Sequence, residues 1–214
     1  MANTAGHTGE GSRALIRVPL IHAPSDMGAM AEGLEAAYVN SFGRRRWEEQ
    51  LAFVDQFWHR VRLGLDGLDL DWAGVDLYQD GLPVCGKEVE IVTQAAAGGS
   101  ENYRLLLDLM ARGATLMGTE DPAMLLEEYR EIKAALAEDS VSPGGRQHVD
   151  CDARGRERLA ARDAYIGRRI GASLQPGRTA VLFLGMAHDI EPHLPDDIVV
   201  SRLDMDLSWR GDRT

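Results

Sequence analysis

Thr179-Ala180-Val181-Leu182-Phe183-Leu184-Gly185-Met186-Ala187-His188 is the stretch on which the fold turns. A strand with one wet face alternates apolar and polar residues. TAVLFL does not alternate, and Pro176-Gly177 and Gly185 bound it, so it reads as a strand buried on both faces of a parallel sheet. Parallel strands need long crossovers, most often helices. One precedes this strand over about 153–174, with Leu159, Ile166, Ile170 and Leu174 at helical spacing and Pro176-Gly177 as its stop.

The same grammar extends outward. Ala14 to His22, ALIRVPLIH, reads as a first buried strand, and Ser25 or Asp26 caps a helix carrying Met27, Met30, Leu34, Ala37 and Tyr38. Beyond Gly43, Trp47, Leu51, Val54, Phe57, Trp58 and Val61 form an amphipathic stripe. Val75 to Gln79 is a second strand, and helical pieces follow near 86–96 and 100–112, the latter capped by Ser100. Ala114 to Met117 is a brief third strand. A helix starting at Pro122 carries Leu125, Leu126, Tyr129, Ile132 and Leu136. Residues 139–152 read as a surface loop or lid, and Ile198 to Leu203 as the last strand. The predicted fold is α/β, a mostly parallel central sheet with helices on both faces. Residues 1–12, which include His7, read as a flexible arm, and 13–214 as a single domain.

Composition excludes several classes. Thirty-four acids against 23 bases give a net charge of −11, which disfavours nucleic acid and anionic lipid as partners despite Arg44-Arg45-Arg46. No apolar run is long enough to span a membrane, and the first residues lack an apolar signal core, so a cytoplasmic location is expected. Cys85 and Cys151 are too few for a disulfide scaffold; Cys85 is expected to be a small buried hydrophobe, with a reactive thiol as the alternative. The sequence contains no glycine-rich dinucleotide loop after the first strand, Walker A loop, nucleophile elbow or His-Glu-x-x-His pair.

Ligands of open α/β sheets bind beyond the carboxyl ends of the strands, and polar residues collect there. The first strand ends at His22 with Asp26 close behind, the second at Gln79-Asp80; Glu120-Asp121 follow the third, and His188-Asp189 the fourth. Imidazoles and carboxylates together are the ligand set of a first-row divalent ion such as zinc, manganese or iron, or the machinery of metal-free acid–base chemistry. Helix capping accounts equally for Asp26 and Asp121, a turn for Asp80-Gly81, and a proline-flanked turn for His193. Arg162 lies near the inward stripe of its helix, so its guanidinium needs an anion: a site carboxylate, or a carboxylate or phosphate of a substrate.

In this order the pieces resemble the superfamily of the TraB/PrgY pheromone-shutdown proteins, the TIKI metalloproteases, the haem-uptake protein ChaN and the erythromycin esterases. The likeness is carried by Arg162-Asp163, the helix after them, Gln175-Pro176-Gly177, the strand TAVLFL and the Gly185-Met186-Ala187-His188 motif. His22 matches the family's first histidine and Glu120 a later glutamate. The chain departs from the pattern at Pro19-Leu20-Ile21, where a glycine motif precedes the histidine, and at Asp80, where a glutamate is usual. The resemblance implies an EreA/ChaN-like fold with a strand-end site. The function it suggests is an ester or amide hydrolase for a small molecule or short peptide. In that reading His22, Asp80, Glu120 and His188 hold a divalent metal, and His22, Glu120, Arg162 and His188 are catalytic. The alternative is a non-catalytic binder of a haem-like or metal–metabolite ligand. A third reading is a structural subunit, with Trp47, Phe57 and Trp58 as core or as a homodimer face.

Overall fold

A computed structural model describes residues 12–23, 25–26, 31–138 and 148–205, the side chains of 135–138 and 148–153 excepted. The expectations placed on His7, Met27, Met30, the side chains of Leu136 and Cys151, and the lid over 139–147 fall outside these residues. In chain order the elements are β1 (Arg13–Leu20), α1 (Ala31–Phe42), α2 (Arg44–Asp66), β2 (Val75–Gln79), α3 (Glu88–Ala97), α4 (Glu101–Ala111), β3 (Thr115–Met117), α5 (Pro122–Glu138), α6 (His148–Ser173), β4 (Thr179–Gly185) and β5 (Ile198–Arg202). Short 3-10 turns stand at Trp72–Gly74 and Glu191–His193. The reading of 139–152 as loop gives way at its end, because α6 already begins at His148.

The five strands form one sheet in the order β3-β2-β4-β1-β5, with every pairing parallel. The TAVLFL strand is central, which is why its buried residues, Ala180 to Leu184, are all apolar. Val181 and Phe183 face the layer of α2, α3 and α4, packing with Val54, Phe57, Trp58 and Leu106. Ala180, Leu182 and Leu184 face α6, packing with Ile166, Ile170 and Leu174. Helices therefore cover both faces. Trp47, Phe57 and Trp58 are only 6%, 6% and 3% exposed, so this aromatic stripe is core and not a homodimer face. Among the described residues no helix is long and apolar enough to cross a membrane.

The strand order makes a crevice. From β1 the chain leaves toward α2 on one face. From β4 it leaves through the Glu191–His193 turn, whose neighbours Ile190 and Leu194 pack with α6 on the other face. β1 and β4 are hydrogen-bonded neighbours whose exits diverge, and such a switch point is where open α/β sheets bind ligands. His22 follows one strand and His188 the other.

α6 lies unusually close to the segment after β4. A Cβ on Gly167 would stand 2.5 Å from His193 Cβ and 2.8 Å from its carbonyl oxygen, and one on Gly171 would meet Pro195 Cγ at 2.8 Å. His193 is thus a packing residue. Gly167→Val is expected to lower stability by about 1–3 kcal/mol through this overlap. Gly155→Ala, with nothing within 4 Å of its Cβ, is expected to raise it slightly. Denaturant midpoints of the two variants check this; equal midpoints would refute the close approach.

Candidate active site

Backbone bonds stitch together the strand ends that carry the acids. Asp80 N–H donates to Phe183 O at 2.9 Å, prolonging the β2–β4 ladder by one residue. Thr119 and Glu120 N–H both donate to Leu82 O, at 2.9 and 3.0 Å, and Gln79 N–H donates to Thr119 Oγ1 at 2.9 Å. Asp80 and Glu120 are consequently held side by side, 3% and 1% exposed. Two buried carboxylates so placed need a countercharge.

Arg162 supplies it. The residue stands four and eight positions before Ile166 and Ile170, on the same inward face of α6. Its Nε donates to Glu120 Oε2 at 2.6 Å and its Nη2 to Glu120 Oε1 at 2.8 Å, a bidentate pair. Nη2 also donates to Asp80 Oδ1 at 2.7 Å, and Nη1 reaches both oxygens of Glu128 on α5 at 2.9 and 3.0 Å. All three nitrogens bind carboxylates, so the anion Arg162 requires comes from the site and not from a substrate.

The two acids titrate in opposite directions. Burial pushes the Glu120 carboxyl up, and the neighbouring Asp80 charge adds to this against the opposing pull of Arg162. Burial pushes Asp80 up too, but the hydrogen bond and charge of His188, with Arg162 and His22, hold it well below the usual carboxylate range. The difference is that Asp80 also faces imidazoles (and Glu120 does not).

His188 is clamped between two carboxylates. Nδ1 lies 2.5 Å from Asp163 Oδ1 and Nε2 lies 3.3 Å from Asp80 Oδ2, while Asp189 N–H donates to Asp163 Oδ2 at 2.9 Å. Burial lowers the pKa of His188, but these two acids more than offset it and the net shift is upward. A raised histidine pKa contributes stability that is complete below the unfolded value, about 6.5, and is lost as pH rises through the folded value. The stability advantage of wild type over His188→Gln is therefore expected to shrink as pH rises above about 6.5. Melts at several pH values check this, and a constant difference would refute it. Gly185 admits the cluster: a Cβ there would stand 3.1 Å from Asp80 Oδ2 and 3.4 Å from His188 Cδ2.

His22 is the accessible member, its side chain 45% exposed. Nε2 stands 3.9 Å from Asp80 Oδ2 and Nδ1 stands 4.0 Å from Asp26 Oδ2. Asp26 is fixed by the N–H of Ala23, at 2.7 Å, and by the hydroxyl of Ser100. Burial pushes the Asp26 carboxyl up against those hydrogen bonds.

His22, Asp80, Glu120, Arg162 and His188, drawn from five places in the sequence, thus meet around Asp80. Glu120 differs from expectation in its role. Both its oxygens hold Arg162, and Oε1 also accepts Gly81 N–H at 2.6 Å, so Glu120 positions the site and does not face a ligand. Of the four expected metal ligands, His22, Asp80 and His188 keep donors that converge on Asp80 Oδ2. Among the described residues no group of three or more His, Cys, Asp or Glu is arranged as a metal site. Asp121 caps α5, its Oδ1 accepting Ala123 N–H at 2.7 Å. Cys85 is exposed and not buried, because its turn is tied to the surface by Glu88 Oε1, which accepts Cys85 N–H at 2.8 Å.

Glu128 was not singled out from the sequence, and Asp163 was named only as part of the Arg162-Asp163 pair that carries the resemblance, with no role of its own. Asp163 carried a signal, since it shares the helical spacing of Ile166 and Ile170. Adjacent helical residues point about 100° apart, so Arg162 and Asp163 serve different partners. No protein-family model matches the chain, and neither a curated protein nor a solved structure matches it.

Proposed function

We propose that the protein is a hydrolase of an ester or amide bond, with His22 as general base. The observation that carries this reading is the position of Asp80 Oδ2, 3.3 Å from His188 Nε2 and 3.9 Å from His22 Nε2, in the crevice between β4 and β1. His22 is the base because it alone of the two imidazoles reaches solvent. It takes a proton from water as the water oxygen bonds to the substrate carbonyl carbon and the carbonyl electron pair moves onto oxygen. The same proton passes to the departing alkoxide or amine as the intermediate collapses. A ring that accepts this proton sits between two carboxylates, Asp80 and Asp26. Arg162, Glu120, Asp163 and His188 fix Asp80 and do not touch the substrate. The order of strand-end residues, which resembles that of the erythromycin esterases and their EreA/ChaN-like relatives, supports an ester or amide as the bond cleaved and a small molecule or short peptide as the substrate.

A divalent ion held by His22, Asp80 and His188 is the alternative for the same site; when bound it would supply a water of lowered pKa. One experiment decides between the two readings. Wild type, His22→Ala and His188→Ala, purified without chelator, are compared for zinc, manganese and iron content and for turnover of ester, amide and short-peptide panels. Turnover without metal, lost in His22→Ala, supports the proposal. Near-stoichiometric metal lost in both variants replaces it with the metal-dependent reading. Turnover undiminished in His22→Ala overturns both.

A further inference from the structure

A second site is visible beyond the carboxyl ends of β1, β4 and β5. It is a cleft of about 580 Å3, a volume within the range of small-molecule sites. Its walls include Pro19, Leu184, Met186 and Met205, all apolar, its charged residues are Arg17, Arg202, Asp189 and Asp204, and His188 stands in the wall it shares with the first site.

The arginines are the unusual feature. Arg17 of β1 and Arg202 of β5 are register partners in the parallel ladder, and like charges directly opposite one another are unfavourable. Elsewhere the arginines at the sheet have acids of their own: Arg13 binds Asp197, Arg178 binds Asp76, and Arg162 binds Asp80, Glu120 and Glu128. Arg17 does not. Among the described residues it makes no ion pair, and its only hydrogen bonds run from Nη2 to the carbonyls of His188, at 2.8 Å, and Gly185, at 3.3 Å. Arg202 reaches Glu191 only at 3.5 Å and is largely exposed. In a chain of net charge −11, Arg17, which has no acid partner among the described residues and stands in an apolar-walled cleft, offers its guanidinium N–H groups to an anion.

We propose that this cleft binds a small molecule with a carboxylate against Arg17 and an apolar body along Pro19, Leu184 and Met186. Asp189 and Asp204 in the same walls keep the cleft from carrying a large positive excess, so a singly charged carboxylate against Arg17 is favoured over a doubly charged phosphate. Because Arg17 also holds the carbonyls of Gly185 and His188, the bound molecule rests against the loop that carries His188. Binding is measured without turnover, so the proposal stands or falls apart from the hydrolase reading.

Octanoate, octanol and octyl phosphate are the probes, titrated by calorimetry into wild type, Arg17→Met and Met186→Glu. Met186 is 75% exposed, so Met186→Glu leaves the fold intact while placing a negative charge at the cleft. Saturable octanoate binding is expected in wild type, weakened about tenfold or more in both variants, with octanol weaker than octanoate by a similar factor. No saturable octanoate binding up to about 10 mM, or wild-type affinity in both variants, overturns the site. Tighter binding of octyl phosphate than of octanoate overturns the ligand class.

Discussion

Arg162→Met is expected to destabilise the protein by about 3–5 kcal/mol, because it strips the countercharge from buried carboxylates. For a chain of this size that is a fall in Tm of roughly 6–20 °C. Asp80 and Glu120 are 3% and 1% exposed, and among the described residues Arg162 is the one cation bonded to both. Removing it leaves two buried acids that must either stay charged without that countercharge or take up a proton. Two further variants separate charge from packing. Arg162→Lys restores the charge but not the fork that reaches Glu120 at two atoms and Asp80 and Glu128 besides, so an intermediate Tm is expected. Adding Asp80→Asn and Glu120→Gln to Arg162→Met removes the unpaired charges, and most of the lost stability should return. A Tm for Arg162→Met within about 2 °C of wild type would mean that the cluster is solvated and that its acids are not held as described.

His22→Ala should do the reverse, reducing kcat/KM by about 10²–10⁴ while leaving stability nearly unchanged. The side chain is half-exposed, and its contacts to Asp80 and Asp26 are long, at 3.9 and 4.0 Å, so little packing is lost. The space left by the ring opens to solvent, and added imidazole is expected to restore part of the rate. His188→Ala provides the contrast. It removes a side chain 5% exposed and bonded to two acids, so activity and stability fall together and imidazole does not help. If His22→Ala hydrolyses at the wild-type rate a substrate that wild type turns over, the general-base assignment is wrong.

These expectations rest on residues that the sequence displays unequally. Apolar runs and helical stripes disclose local structure, because burial on both faces demands an unbroken TAVLFL and burial on one face demands a periodic stripe. Val75–Gln79 is therefore a strand over the residues anticipated, and Ser100 caps α4 as anticipated, its hydroxyl accepting Tyr103 N–H at 3.2 Å. Cys85 was misread because a hydrophobic preference says nothing about a turn that Glu88 ties to the surface.

The sequence alone determined an α/β chain whose parallel strands each deliver an acid or a histidine to one edge, because backbone hydrogen bonding and apolar burial are local and periodic. The tertiary structure decided which of those groups meet. Arg162 binds acids 42 and 82 positions away, and His188 is held by Asp163, 25 positions before it. Pattern along a chain carries no information about such pairings. They follow from the strand order β3-β2-β4-β1-β5, which brings β2, β4 and β1 side by side, and from the close seating of α6 through Gly167 and Gly171. The same packing gave Glu120 to Arg162, leaving His22 as the accessible imidazole of the cluster.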